Sequence, residues 1–244
     1  MKFIKYFPLF FLLQGCSSDY EWGWYILSPN NVEGLTNLKF LISGITTTIY
    51  ISVISIILAM LIGLIIALPS LSNNKLLSYF NIAYVEIVRA IPLLVLILWI
   101  YYGLPIMMGI SFSPFVSGII ALTISESAFQ AEIFRAGINS IKKAQWEAGS
   151  SLGLTFFKRL IFVILPQAIK NILPAIGNQF VYVLKMSSLV SIIGIGDLTR
   201  KANELVVTTY RPLVIYTFLI LEYLVLILIV SYFVRKLEKN LKKD

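Results

Sequence analysis

Four ionisable side chains interrupt stretches that are otherwise nearly uncharged: Glu126 and Glu132 in one, Lys185 in a second and Glu222 in a third. A charge placed among apolar residues is costly, so it usually faces a cavity, a partner helix or a solute. Glu126 can pair with the amino or cationic group of a zwitterion, while Lys185 or a helix end faces the opposite charge. The rival arrangements are a Glu126–Lys185 salt bridge or a protonated Glu126. Asn178, Gln179 and Ser187 can add neutral hydrogen bonds to the same ligand. Glu132 and Arg135 are three residues apart, the spacing of an interfacial helix pair, and Glu222 is read as structural. Catalysis finds little to work with. There is no histidine, and the lone Cys16 excludes an internal disulfide or a multi-thiolate metal site.

The elements that position these groups must be membrane helices. Of 244 residues 58% are hydrophobic and 13% charged, against roughly 45–50% and 25% in soluble domains. Five stretches are long enough to cross: Phe40–Pro69, Ala90–Ile110, Pro114–Phe134, Asn171–Gly196 and Leu213–Val234. The first carries no charge and would make about 45 Å of helix, so it must tilt or project beyond a core of roughly 30 Å. The fourth contains Pro174, Gly177, Gly194 and Gly196, which predict a broken helix. The sequence therefore predicts an all-α integral membrane protein.

Charge sets its orientation. Segments 70–81, 137–170 and 235–244 hold eleven lysines and arginines, whereas the opposite set holds Lys39, Arg200, Lys201 and Arg211. Positive loops stay in the cytoplasm, so the carboxyl-terminal tail 235–244 is inside and the net charge of +8 serves the membrane rather than nucleic acid. Residues 1–16 have the basic-then-apolar layout of a secretory signal, and Leu13-Gln14-Gly15-Cys16 resembles a lipobox, whose Cys16 would be lipidated. Residues 17–39 then form an external segment, and five crossings place the amino end outside.

One long loop, 137–170, faces the cytoplasm. Ala144–Ser151 can form a short helix with Glu147 in its opening turns. Gly153 can supply a left-handed residue after it, and Thr155 can cap a second helix that returns to the membrane at Pro166. Ala148, Gly149 and Gly153 leave the element free of bulk, as docking into a cleft requires. Glu147-Ala148-Gly149, Gly153 and Ile164-Leu165-Pro166 resemble the EAA loop of bacterial ABC-importer permeases. The likeness continues through 131–135, 165–168, 174–179 and 188–194, and together these segments resemble the polar amino acid branch. Gly149 stands where the motif often has a second alanine. Met186 stands where this branch often has an acid.

The resemblance implies a type I ABC importer transmembrane domain over 40–234. It also implies a second permease chain, two ATPase subunits that bind ATP and Mg, and an extracytoplasmic amino-acid-binding protein. Glu147, Ala148, Gly149, Gly153 and Pro166 would form the coupling element. Glu126, Asn178, Gln179, Lys185 and Ser187 would line the path of a polar, cationic or neutral amino acid through the bacterial inner membrane. The chain has no G-x-x-x-x-G-K-[ST] loop, so no ATP cofactor is expected in it. The competing class is an ion-coupled secondary transporter or channel, in which Glu126, Glu222 and Lys185 would form an ion path.

Overall fold

A computed structural model describes residues 23–70 and 75–241. The signal-like segment with Cys16, the start of the external segment and the last three residues lie outside the described residues.

A 3-10 turn, Trp24–Leu27, precedes α1, Val32–Ser70. α1 starts eight residues before the uncharged run because Asn31 caps it: the Gly34 N–H donates to Asn31 Oδ1 at 2.5 Å. α2, Lys75–Ala90, is followed by α3, Leu93–Leu98, a π turn over Trp99–Gly103 and α4, Leu104–Met108. The axis turns by 91° between Ala90 and Leu93, where Pro92 forces the preceding residue out of the helical region. α5 runs from Pro114 to Asn139, with Ser113 Oγ accepting from the Val116 N–H. α6, Lys143–Ser151, and α7, Phe156–Arg159, lead through a second π turn, Leu160–Ile164, into α8, Leu165–Met186. A 3-10 segment, Ser187–Ile193, then α9, Leu198–Thr209, and α10, Pro212–Leu241, complete the chain. Both π turns end two residues before a proline, Pro105 and Pro166. A proline cannot donate to the carbonyl four residues back, and the wider turn absorbs that missing bond.

Among the described residues, three helices can cross a membrane by length and composition, Val32–Pro69, Phe156–Ile193 and Pro212–Asn240, or four if the bent pair Ser78–Ala90 and Leu93–Met108 is one span. α5 falls outside that set, and its environment explains why. Ser117, Thr123, Ser125, Glu126, Ser127 and Gln130 are all buried, because α5 packs against α1, α2, α3 and α8 at the centre of the molecule. A helix sheathed by other helices has no need of a lipid-facing apolar surface.

The expected break in the fourth stretch falls at only part of the residues named for it. Pro174 and Gly177 lie inside an unbroken α8, whereas the chain does turn at Gly194, whose φ of +87° is left-handed. The region 197–212, between the fourth and fifth expected crossings, contains α9, which Asp197 caps through the N–H groups of Thr199 and Arg200. α10 carries the basic tail as helix as far as Leu241.

Candidate functional site

The segment expected to form the coupling element, residues 143–159, is a compact helical hairpin. α6 ends in a Schellman closure: the Gly153 N–H donates to Ser150 O at 2.9 Å and the Leu154 N–H to Gly149 O at 3.2 Å. Gly153 takes the left-handed conformation this requires, with φ +71°. Thr155 holds the capping position of α7, but its side chain makes no capping bond, which corrects that expectation. The bracing comes from elsewhere. The Trp146 and Phe156 rings stack with centroids 5.8 Å apart, and Arg159 Nη1 donates to Ser150 Oγ and to Trp146 O. The Arg159 stem crosses Gly149 so closely that a Cβ there would lie 2.9 Å from Arg159 Cγ. Glu147 and Ala148 face outward and are exposed, as are Leu152 and Phe157. Pro166 is exposed at the start of α8.

The hairpin is tied back to α8, where Gln167 donates to Gln145 Oε1 at 3.3 Å, and α8 is in turn tied to the end of α5, where Asn171 Nδ2 donates to Ser140 Oγ at 2.8 Å. Beneath them Ile138, Leu160, Ile164, Ala168 and Ile172 form one buried cluster with Trp146 and Phe156 against it.

Of the intramembrane candidates, the structure brings two together. Glu126 on α5 is fully buried, and its Oε2 accepts from Gln179 Nε2 on α8 at 2.6 Å. Its other oxygen has no partner among the described residues. The Glu126–Lys185 salt bridge does not form: the described residues contain two ion pairs, Glu132–Arg135 and Arg200–Glu204. Six residues separate Gln179 from Lys185, about 240° around the helix, so the two side chains leave α8 in different directions. Lys185 and Asn178 are exposed and seven residues apart, which puts them on one face of α8. Ser187 is buried, and its hydroxyl donates to Leu184 O at 2.9 Å. Glu222 is buried on α10 with neither oxygen partnered by a described residue.

Beside the Glu126–Gln179 bond, α2, α5 and α8 line an open pocket of about 390 Å³ whose lining includes Gln179, Asn171, Ser140, Phe129, Glu132 and Arg89. Glu132 pairs with Arg135 as the spacing predicts: Arg135 Nε donates to Oε2 at 3.0 Å and Nη2 to Oε1. The Arg89 guanidinium lies over the Phe129 ring, 4.9 Å from its centroid. Sequence reasoning missed Arg89, Phe129 and Asn171. The available signal was Arg89 itself, the only cation between Lys75 and Arg135 and one residue before a long uncharged run.

The chain resembles known proteins along most of its length. It is 34% identical over 213 residues to the arginine transport system permease protein ArtQ of Bacillus subtilis (strain 168), covering 86% of this chain and 96% of that protein. It is 39% identical over 208 residues to the probable glutamine ABC transporter permease protein GlnM of the same organism, covering 85% and 96%. The crystal structure of an amino acid ABC transporter with histidines matches with a TM-score of 0.79 and 40% identity, covering 84% of this chain and 96% of that one. Residues 59–243 match the sequence profile of binding-protein-dependent transport system inner membrane components. Such a system implies a separate ATPase and a binding protein. The chain is therefore not an ATPase but an ABC-importer permease, and it belongs to the family of binding-protein-dependent inner membrane components.

Proposed function

We propose that this permease carries polar amino acids inward, that the hairpin 143–159 seats in a cleft of the ATPase, and that the α5–α8 cavity is part of the ligand's path. Five crossings serve this reading: α1, the α3–α4 segment, α5, α8 and α10, with the amino end outside and the tail in the cytoplasm. The distribution of lysine and arginine supports that orientation, and the burial of the polar residues of α5 is consistent with its being one of the crossings. The substrate class follows from relatives named for arginine and glutamine and from a solved neighbour holding histidines.

The observation that carries the proposal is the hairpin: an outward-facing α6 with exposed Glu147 and Ala148, closed at Gly153 and tied to α8, which is itself bonded to the end of α5. In the path, Glu126 and Gln179 act as one hydrogen-bonded unit. Asn178 and Lys185 offer a second polar face on α8 to the ligand or to the second permease chain. Ser187, with its hydroxyl bonded internally, holds the 3-10 segment rather than ligand. Pro166 and Gly149 shape the hairpin.

The test is uptake into proteoliposomes containing this chain, its ATPase and its binding protein. L-glutamine, L-arginine or L-histidine should accumulate only with ATP on the ATPase side, whether or not ion gradients are collapsed. Accumulation driven by an imposed ion gradient without ATP would overturn the proposal.

A further inference from the structure

We infer that Arg89 receives the α-carboxylate of the amino acid in the 390 Å³ pocket, while the amide oxygen of Gln179 is the acceptor offered to its α-ammonium group; this rests on reading the chain as an amino acid permease. The argument begins with which charges in the cavity are already spent. Two charged groups line it, Arg89 and Glu132. Both oxygens of Glu132 are taken by Arg135, so its negative charge is matched. Arg89 makes no ion pair within the described residues. Its contact is the face of Phe129, which holds a guanidinium plane in place without using any of its N–H donors. Arg89 is exposed at the mouth of the pocket, and a planar fork of five donors steadied there by an aromatic face fits a carboxylate. Glu86 lines only the neighbouring 290 Å³ cavity, which shares Arg89 and Glu132 with the first.

The opposite wall is complementary. Gln179 spends its N–H on Glu126 and Asn171 spends its own on Ser140. Asn171 is exposed and eight residues from Gln179 along α8, so the acceptor within the pocket is the half-buried Gln179 amide oxygen. A zwitterion would thus find a fork of donors on α2 and a neutral acceptor on α8. The volume lies at the lower end of the range for small-molecule sites, about 300–1,000 Å³, which suits a single amino acid. A phosphate headgroup of an anionic lipid offers the same kind of acceptor to Arg89 but no ammonium at the spacing of an α-amino group, so the two sources separate experimentally.

The experiment measures equilibrium binding of radiolabelled L-glutamine and L-arginine to the permease–ATPase complex without binding protein, in vesicles of phosphatidylcholine alone or with phosphatidylglycerol. Competitors are the same amino acids and their α-carboxamides. In the parent the carboxamides should compete about ten- to hundredfold more weakly, the worth of a hydrogen bond to a charged group. Arg89→Gln should erase that difference and Arg89→Lys should keep part of it, with each variant still co-purifying with the ATPase. Equal competition by acid and carboxamide in the parent would overturn the assignment, and this arm needs no variant. So would a difference that survives in Arg89→Gln. Displacement of the label by phosphatidylglycerol without any preference for acid over carboxamide would give Arg89 to lipid and overturn it as well. A parent chain that fails to co-purify with an ATPase would instead sink the broader reading of the protein as a permease.

Discussion

Gly153 permits a test in which backbone conformation and side-chain size rank the same substitutions in opposite orders. Its φ is +71°, and a Cβ built on it meets nothing within 4 Å. A substitution there therefore meets no clash within the chain, and its cost is conformational. Placing an L-residue in the left-handed helical region costs roughly 1–2 kcal/mol, and asparagine tolerates it better than alanine. An equilibrium biased by that much shifts about five- to thirtyfold. The closure that would be lost holds the Gly153 and Leu154 N–H groups on Ser150 and Gly149. Without it the end of α6 frays beneath the Trp146–Phe156 stack.

The expected order for ATP-driven uptake in proteoliposomes is glycine, then asparagine, then alanine, with the loss in Gly153→Ala bounded at about thirtyfold. ATP hydrolysis and the amount of inserted protein are measured in the same vesicles, so that failed insertion is not mistaken for failed coupling. If Gly153 mattered only as space for the ATPase, the order would follow volume and alanine would be milder than asparagine. Parent-level uptake by Gly153→Ala, or a worse result for Gly153→Asn than for Gly153→Ala, refutes the conformational argument.

Three further outcomes are expected. A Cβ at Gly63 would lie 2.6 Å from Gln130 Cβ and 2.8 Å from the Ala131 backbone nitrogen, so Gly63→Ala should destabilise the α1–α5 crossing by about 1–3 kcal/mol; an unchanged Tm of the purified complex would show that the crossing is looser than this. Burial raises the Asp197 carboxyl from 3.8 to about 6, against the opposing pull of the capping N–H groups. The folded state thus holds this proton more tightly than the unfolded chain, and the group's stabilising contribution is complete below about pH 4 and lost as pH rises through about 6. Asp197→Asn keeps the cap and should flatten that part of the Tm profile between pH 4 and pH 7; identical profiles for parent and variant would argue against it. Because Glu126 holds a buried carboxylate against Gln179, Glu126→Gln should reduce arginine uptake more than glutamine uptake, and equal reductions would remove its charge from recognition.

What could be read from the sequence depended on the range of the forces involved. The apolar runs and the sidedness of lysine and arginine are properties of single segments, so the helices α1 and α10 and the long hairpin loop were visible directly. Gly153 was visible because a left-handed residue after a short helix is a local requirement. Pro174 misled for the opposite reason. Its local effect is to break a helix, but α8 is held straight by neighbours on α1, α5 and α10, and the chain turns at Gly194. Glu126 and Gln179 were each legible as polar residues in apolar surroundings, whereas their bond spans 53 positions and depends on how α5 meets α8. Lys185 looked equally suited to Glu126 by charge. Its place on the helix decided otherwise. Arg89 escaped notice since its partner is an aromatic face, and Phe129 carries no sequence mark that separates it from any other apolar residue.

The geometry also bears on how work done at one end of the molecule reaches the other. Ser140 and Asn171 line the cavity and are hydrogen-bonded to each other, and they sit where α5 ends and α8 begins its crossing. α6 leaves α5 three residues after Ser140, and α8 returns through Gln167, which reaches back to Gln145 on α6. The space between is filled by Ile138, Leu160, Ile164, Ala168 and Ile172. Close-packed side chains resist compression and pass on displacement, whereas two exposed amide hydrogen bonds alone would yield. A push on α6 therefore moves the inner ends of α5 and α8 together. Arg89 stands on α2, but its guanidinium lies over Phe129 of α5, so the donor fork is coupled to the same block through α5 rather than left behind by it.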